Sequence, residues 1–312
     1  MKRREFILKS AGAGLLTGAA LSLGSANKLM AAELFNPGGA SNNLPFDLVA
    51  IKGGSAADMF DKAIASLGGM TNFVKKNQTV VVKPNIGWDT PPENAANTNP
   101  QLVGRIVEHC FRAGAKTVYV FDNTVNEWTR CYKNSGIEDA AKKAGATVVT
   151  GKSESHYQAV NIPKGKVLKN AKVHELILQS DVFINVPTLK THGGTKLSIS
   201  MKNLMGIVWD RRFWHENNLQ QCIADFTTFK KPDLNIVDAF RVLKRNGPRG
   251  VSIADVVEMQ YQIISPDIVA ADAAASKVFG IEPDQLAHIP LATDLGSGIS
   301  NLEKIRINRI SM

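Results

Sequence analysis

The chain has few cysteines, and nothing in their spacing groups them. Three occur among the 312 residues, at Cys110, Cys131 and Cys222, and no two of them form a Cys-x-x-Cys pair. An odd number of widely spaced cysteines predicts no disulfide framework, and an iron–sulfur cluster needs grouped cysteine ligands. No iron–sulfur cluster is therefore expected.

Other features of specialised proteins are also missing. No run of lysine and arginine with interleaved aromatic residues occurs, which argues against nucleic-acid binding. No two histidines have the His-x-x-x-His spacing of zinc enzymes, and Gly193-Gly194 followed by Thr195-Lys196 lacks the residue order of a phosphate-binding P-loop. With 44% hydrophobic and 21% charged residues and no low-complexity tract, the composition is that of an ordinary globular protein.

The first 32 residues differ from the rest of the chain. They hold five basic side chains and one acidic one, a net charge of +4, which leaves +5 of the total +9 for the remainder. An apolar, Gly/Ala-rich stretch of 16 residues follows at 11–26, shorter than the 20 or so that cross a bilayer. A charged start, a short apolar segment and small residues after it are typical of a secretory signal.

The paired Arg3-Arg4, with Phe6 and Lys9 behind them, resembles a twin-arginine signal. We therefore expect a twin-arginine signal peptide at 1–32, export to the periplasm by the twin-arginine translocase, and no transmembrane segment after cleavage. The alternative, an amphipathic first helix of the folded domain, is disfavoured because the stretch has no polar face.

After a Gly/Asn/Pro-rich lead-in at 33–46, strand and helix patterns alternate. Short apolar runs typical of strands lie at 79–83, 116–121, 147–150, 181–186, 234–237 and 256–264. Apolar residues at helical spacing lie at 56–67, 101–113, 137–144, 218–229 and 267–279. This alternation predicts a single α/β domain at 47–312, with a mostly parallel open sheet, helices on both faces, inserted loops and a small hairpin between 156 and 172.

Four of the predicted strands end on polar residues that can do chemistry. They are Lys83 and Asn85 after the first, Asp122 after the second, Lys190-Thr191-His192 after the third, and Asp238 after the fourth. The carboxyl ends of parallel strands share one edge of a sheet, where such sheets bind ligands. We therefore expect these residues to surround one site.

The residue types suggest three roles. A small anion would be bound by Lys83, Asn85, Thr191, Lys202 and Asn203. Proton transfer would fall to His192, Lys190 and His215. A divalent metal would be bound by Asp122 and Asp238.

Each assignment has a structural alternative. Lys83 suits a solvated strand exit, Asp122 and Asp238 suit helix N-caps, and His215 suits the surface. The range 196–208 fits a strand or a helix: Ser198, Ser200 and Lys202 would share one face only in a strand.

Several motifs resemble domain-of-unknown-function family 362. The matching segments run in order through roughly residues 47–282, at 80–85, 97–100, 181–187, 189–192, 200–206, 236–239, 246–248 and 270–273. The resemblance implies membership of a family whose reaction is unsettled, and the N-terminal pattern adds that this member is exported by the twin-arginine route. Some relatives are fused to ferredoxin-like iron–sulfur modules, whose cysteines this chain lacks. In layout only, the chain also resembles nickel-pincer lactate racemase-type proteins, which pair an early strand-end loop with a later lysine and histidine cluster.

These observations predict an exported enzyme that acts on a small anionic substrate, assisted by a divalent metal or another cofactor. The alternative is a non-catalytic periplasmic protein that carries a ligand or serves a redox system.

Overall fold

The computed structural model describes residues 44–312. The predicted signal peptide at 1–32 and most of the lead-in at 33–46 lie outside the described residues. The strands are β1 (Leu48–Lys52), β2 (Thr79–Pro84), β3 (Thr117–Val120), β4 (Thr147–Val148), β5 (Tyr157–Asn161), β6 (Asn170–His174), β7 (Val182–Val186), β8 (Thr188–His192), β9 (Lys196–Ser198), β10 (Leu234–Leu243), β11 (Val256–Ser265) and β12 (Ile307–Ser311).

The helices begin and end at recognisable signals. Ser55, Asn99 and Asp267 each accept a backbone N–H at a helix start, and Gly280, with φ of 98°, ends the last long helix. The helices of the described residues are α1 (Ala56–Ser66), α2 (Pro100–Arg112), α3 (Trp128–Asn134), α4 (Ile137–Lys143), α5 (Glu175–Gln179), α6 (Ser200–Asn203), α7 (Arg212–Glu216), α8 (Leu219–Phe226), α9 (Ile268–Phe279) and α10 (His288–Asp294).

Most strands pair in one sheet, whose main path runs β12-β1-β11-β10-β7-β2-β3-β4. From β10 to β4 all neighbours are parallel, and β11 lies antiparallel between β1 and β10. The predicted α/β class with a largely parallel sheet is confirmed. The hairpin predicted between 156 and 172 is also present, as β5 paired with β6.

The sheet is covered on both faces, as its alternating side chains require. On β2, Val80 and Val82 pack with α1, α2 and α4, whereas Val81 points into the core that includes α8, α9 and α10. All five residues of β7 are buried, which is typical of a parallel strand with helices on both sides. None of the helices within 44–312 has the length and apolarity to cross a membrane.

Three local differences from the sequence prediction shape the site. Residues 188–192, for which the sequence predicted no helix or strand, form β8, which pairs with β9 and β10. The ambiguous range 196–208 contains both predicted structures, because β9 is followed by α6 and a 3-10 turn at Leu204–Ile207. β10 continues for ten residues through Asp238, so this carboxylate lies within a strand and not at its end.

Candidate functional site

A cavity of about 320 Å³ opens at the carboxyl ends of β2, β3 and β7. Eight of the ten predicted site residues line it: Lys83, Asn85, Asp122, Lys190, His192, Lys202, Asn203 and His215. Thr191 and Asp238 do not. The volume is at the lower end of the ~300–1,000 Å³ typical of small-molecule pockets.

The floor of the cavity is a buried ion pair. Lys83 Nζ lies 2.9 Å from Asp122 Oδ1 and also donates to Pro84 O at 2.9 Å and Asn203 Oδ1 at 2.8 Å. Burial lowers the pKa of Lys83, and the neighbouring carboxylate opposes this shift. Lys83 Nζ is thus occupied by one ion pair and two hydrogen bonds inside the protein.

Asp122 also fixes the backbone around the ion pair. Its second oxygen accepts the N–H of Ile86 at 2.7 Å, which joins the end of β3 to the turn after β2. Asp122 is not a helix N-cap, because α3 begins beyond it and is capped by Glu127. Gly206 lies directly against the pair: a Cβ there would stand 1.9 Å from Asp122 Oδ1 and 2.5 Å from Lys83 Nζ.

Asparagines extend this network to the next lysine. Asn85 donates to Asn203 Oδ1 at 3.0 Å and accepts a hydrogen bond from Lys190 Nζ at 2.9 Å. Asn203 in turn donates to Asn185 Oδ1 at 2.8 Å. The ends of β2 and β7 and helix α6 are thereby held together by side-chain amides.

Lys190 is the second fully buried lysine of the cavity. Its side chain is buried, and Nζ donates to Asn85 and to the Ala96 carbonyl without a carboxylate partner. Burial, the charge of Lys202 and that of Lys83 lower its pKa to about 7, although Asp122 opposes the shift. Near neutral pH a large fraction of this amine is therefore uncharged and able to accept a proton.

His192 lies two residues further along β8, on the same side. Its Nδ1 accepts the N–H of Gly194 at 2.9 Å, which places the proton of the neutral ring on Nε2. Burial, followed by the charges of Lys202, His215 and Lys190, lowers the pKa of His192 to about 3. At neutral pH His192 is thus an uncharged imidazole that can donate a hydrogen bond.

His215, on α7, faces His192. The two rings are stacked with their centroids 6.4 Å apart. Burial and the charges of Lys202 and Arg211 lower the pKa of His215.

Lys202 and Arg211 supply further positive charge. The nearest partner of Lys202 Nζ is Met205 Sδ at 3.6 Å, and burial with the charge of Arg211 lowers the pKa of Lys202 to about 8. Arg211 donates to the carbonyls of Asn123 at 2.8 Å and Thr124 at 2.9 Å. Neither side chain forms an ion pair with a described carboxylate.

The placement of Asp238 corrects its predicted role. Its two oxygens accept the N–H groups of Asn99 at 2.7 Å and Phe240 at 3.1 Å, and burial raises its pKa to about 6. Backbone donors let this carboxylate stand inside β10 and hold the start of α2. It does not share a site with Asp122, so the predicted metal pair is not formed.

Thr191 also differs from the prediction. Residues of β8 alternate, so that Thr188, Lys190 and His192 line the cavity and Thr191 faces away. Its hydroxyl donates to Leu243 O at 3.2 Å and accepts the N–H of Gly247 at 3.0 Å. Thr191 therefore holds the backbone next to Pro248 in place and does not contact a substrate in the cavity.

Metal ligation would depend on few side chains. Within 44–312, no three His, Cys, Asp or Glu side chains come together as a metal-binding group. Because Asp122 is paired with Lys83, the neutral His192 and His215 are the cavity residues best suited to hold an ion. The uncharged amine of Lys190 is the group that could bond to a carbonyl-bearing cofactor.

Sequence reasoning did not select Arg211, Gly206 or Asp272. Asp272 lies outside the cavity and accepts the N–H groups of Ser200 at 2.7 Å and Met201 at 3.1 Å, which fixes the turn that carries Lys202. Burial raises the pKa of Asp272 to about 7. A single acid in the otherwise apolar start of α9 was the available signal.

Comparisons with known proteins agree with the motifs. The model of the family described as Domain of unknown function (DUF362) matches residues 80–277. The thylakoid-associated protein sll1697 of Synechocystis sp. (strain ATCC 27184 / PCC 6803 / Kazusa) is 24% identical over 241 residues, which cover 74% of this chain and 72% of that protein.

Two solved structures resemble this chain at lower sequence identity. The lactate racemase apoprotein from Thermoanaerobacterium thermosaccharolyticum has a TM-score of 0.42 at 13% identity, covering 68% of this chain and 53% of its own. A Thermotoga maritima protein has a TM-score of 0.45 at 10% identity, covering 76% of this chain and 59% of its own. The chain thus spans between half and three fifths of the length of these solved chains.

Proposed function

The chain belongs to the DUF362 family, whose description assigns no reaction, and we propose that this member is an exported enzyme that binds a small anionic substrate and transfers a proton. The observation that carries the proposal is the buried amine of Lys190 in a cavity rich in positive charge. The export half rests on the Arg3-Arg4 signal pattern.

The charge balance of the cavity supports an anionic substrate. The carboxylate of Asp122 is neutralised by Lys83, whereas Lys190, Lys202 and Arg211 line the cavity without a carboxylate of their own. An anion would relieve the repulsion among these cations and replace the water they lose on burial.

The protonation states of Lys190 and His192 support acid–base chemistry. Lys190, with its pKa lowered to about 7, is suited to accept a proton, and His192 is suited to donate a hydrogen bond from Nε2 to an oxygen that gains charge. Both side chains lie on the same face of β8, two residues apart. A substrate anchored by its charge would present a neighbouring C–H or O–H group to both.

Assistance by a divalent metal or another cofactor remains part of the proposal. The groups that would hold one, His192, His215 and Lys190, all have lowered pKa values, which favours the uncharged forms that bind metals and carbonyl groups. Metal analysis and intact mass of protein exported by its native host test this part directly.

The main experiment measures proton exchange. The exported protein is incubated in D₂O with small carboxylic acids, and loss of each C–H signal is followed by proton NMR. We expect exchange by the wild type, a fall of at least about 100-fold in Lys190→Met, and no change in Lys164→Met, which alters an exposed lysine outside the cavity.

Other outcomes separate the alternatives. Saturable anion binding without exchange of any proton would favour the non-catalytic ligand-binding or redox-accessory protein. Full exchange in Lys190→Met, with thermal unfolding unchanged, would remove Lys190 from the mechanism.

A further inference from the structure

The cations of the cavity fall into distinct groups by the way each is held. Lys83 is neutralised by Asp122, and Lys190 is held by Asn85 and the Ala96 carbonyl on the β2 side. Lys202 and Arg211 remain as two positive charges with no carboxylate.

The available donors follow the same division. Arg211 uses two of its five N–H groups on the carbonyls after β3, so three can face a ligand. Lys202 has only a thioether sulfur within bonding distance, at 3.6 Å, which is a weak acceptor. Lys190 already donates to two oxygens.

The charge of Arg211 also acts on Lys202. Burial and the charge of Arg211 lower the pKa of Lys202, and burial and both charges lower the pKa of His215. Two half-buried cations that repel one another carry a free-energy cost that a ligand with two negative charges would remove. A singly charged ligand would leave one of them uncompensated.

Resting on the proposed anion site, we propose that the substrate is doubly charged, a phosphate monoester or a dicarboxylate, with its charges held by Lys202 and Arg211. Lys190, held by Asn85 and the Ala96 carbonyl, is then not needed to balance the ligand and stays available for proton transfer. Trp88, Ile199 and Met205 on the cavity wall provide an apolar surface for the rest of a small molecule.

Matched pairs of ligands test this inference. Succinate is compared with monomethyl succinate, and glycerol 3-phosphate with its methyl diester, by isothermal titration calorimetry at pH 8.5. The doubly charged member of at least one pair should bind at least about tenfold more tightly. The pair that shows the preference identifies the dicarboxylate or the phosphate monoester.

The calorimetry also detects protons. Because Lys202 is partly uncharged at pH 8.5, binding of a doubly charged ligand should take up protons, seen as a heat that depends on the ionisation enthalpy of the buffer. Lys202→Met and Arg211→Gln should each abolish the tenfold preference, and Lys164→Met should retain it. Thermal unfolding verifies that each variant is folded.

Three results would overturn the inference. Equal affinity for both members of each pair would show that one charge suffices, and would leave the proposed anion site intact. A preference that survives both substitutions would place the second charge elsewhere. Failure of every anion to bind at millimolar concentration would remove the doubly charged substrate and the anion site together.

Discussion

The floor of the cavity and the rest of its lining both contain basic side chains, but a carboxylate balances their charge only on the floor. On the floor, Lys83 Nζ lies 2.9 Å from the carboxylate of Asp122 and donates to Asn203 Oδ1 at 2.8 Å. Elsewhere in the cavity, Lys202 and Arg211 have no carboxylate partner, and Lys190 has only neutral ones. Lining a pocket therefore does not by itself make a lysine a ligand-binding group. A lysine binds an anion when no carboxylate of the protein balances its charge.

The largest effect should come from filling the space beside the floor. In Gly206→Ala the new methyl group would meet Asp122 Oδ1 at 1.9 Å and force the buried ion pair apart. Separating such a pair costs about 3–5 kcal/mol, which chemical denaturation would measure. Gly193→Ala is the control, since a Cβ there meets nothing within 4 Å. Equal stability of both variants would show that the pair does not stabilise the fold.

An intermediate effect is expected in the pH dependence of stability, which Lys190 should control. The pKa of Lys190 is about 7 in the fold and near 10.5 when unfolded, so between these values the unfolded chain binds more protons. Stability should therefore rise with pH, and the wild type should gain on the order of 2 kcal/mol relative to Lys190→Met between pH 7 and 9. Urea unfolding at several pH values measures this, with Lys164→Met as reference. A pH-independent difference would contradict it.

The smallest effect separates Thr191 from its neighbours on β8. Thr191→Val removes the hydrogen bonds to Leu243 and Gly247 and should cost about 1 kcal/mol. Anion affinity should stay within twofold, because the hydroxyl faces away from the cavity. A tenfold loss of affinity in calorimetry would instead return Thr191 to the binding site.

Local patterns predicted the sheet well. Alternation of apolar runs with capped helices was enough to predict β2, β7 and α9, because their signals lie within each segment. It was also enough to suggest that Lys83, Asn85 and Asp122 stand at one edge.

Long-range partners explain what the sequence did not show. Asp238 can stand inside β10 because Asn99, 139 residues away, donates to it. The four-residue helix α6 has no strong propensity of its own and is held by Asp272, 72 residues away. Arg211 gains its position from carbonyls after β3. The sequence around a residue does not indicate such distant hydrogen-bond partners.

The loop at 88–100 is itself built into the fold. The backbone N–H of Thr98 donates to Asn85 O, and the Thr98 hydroxyl accepts the backbone N–H of Asn85 and donates to Val186 O. The Ala96 carbonyl accepts a hydrogen bond from Lys190 Nζ. The proton affinity of that amine is consequently tied to a stretch of backbone that no substrate needs to touch. Changes of sequence at 95–98, away from the lining residue Trp88, offer a route for tuning the basicity of the cavity while its lining stays the same.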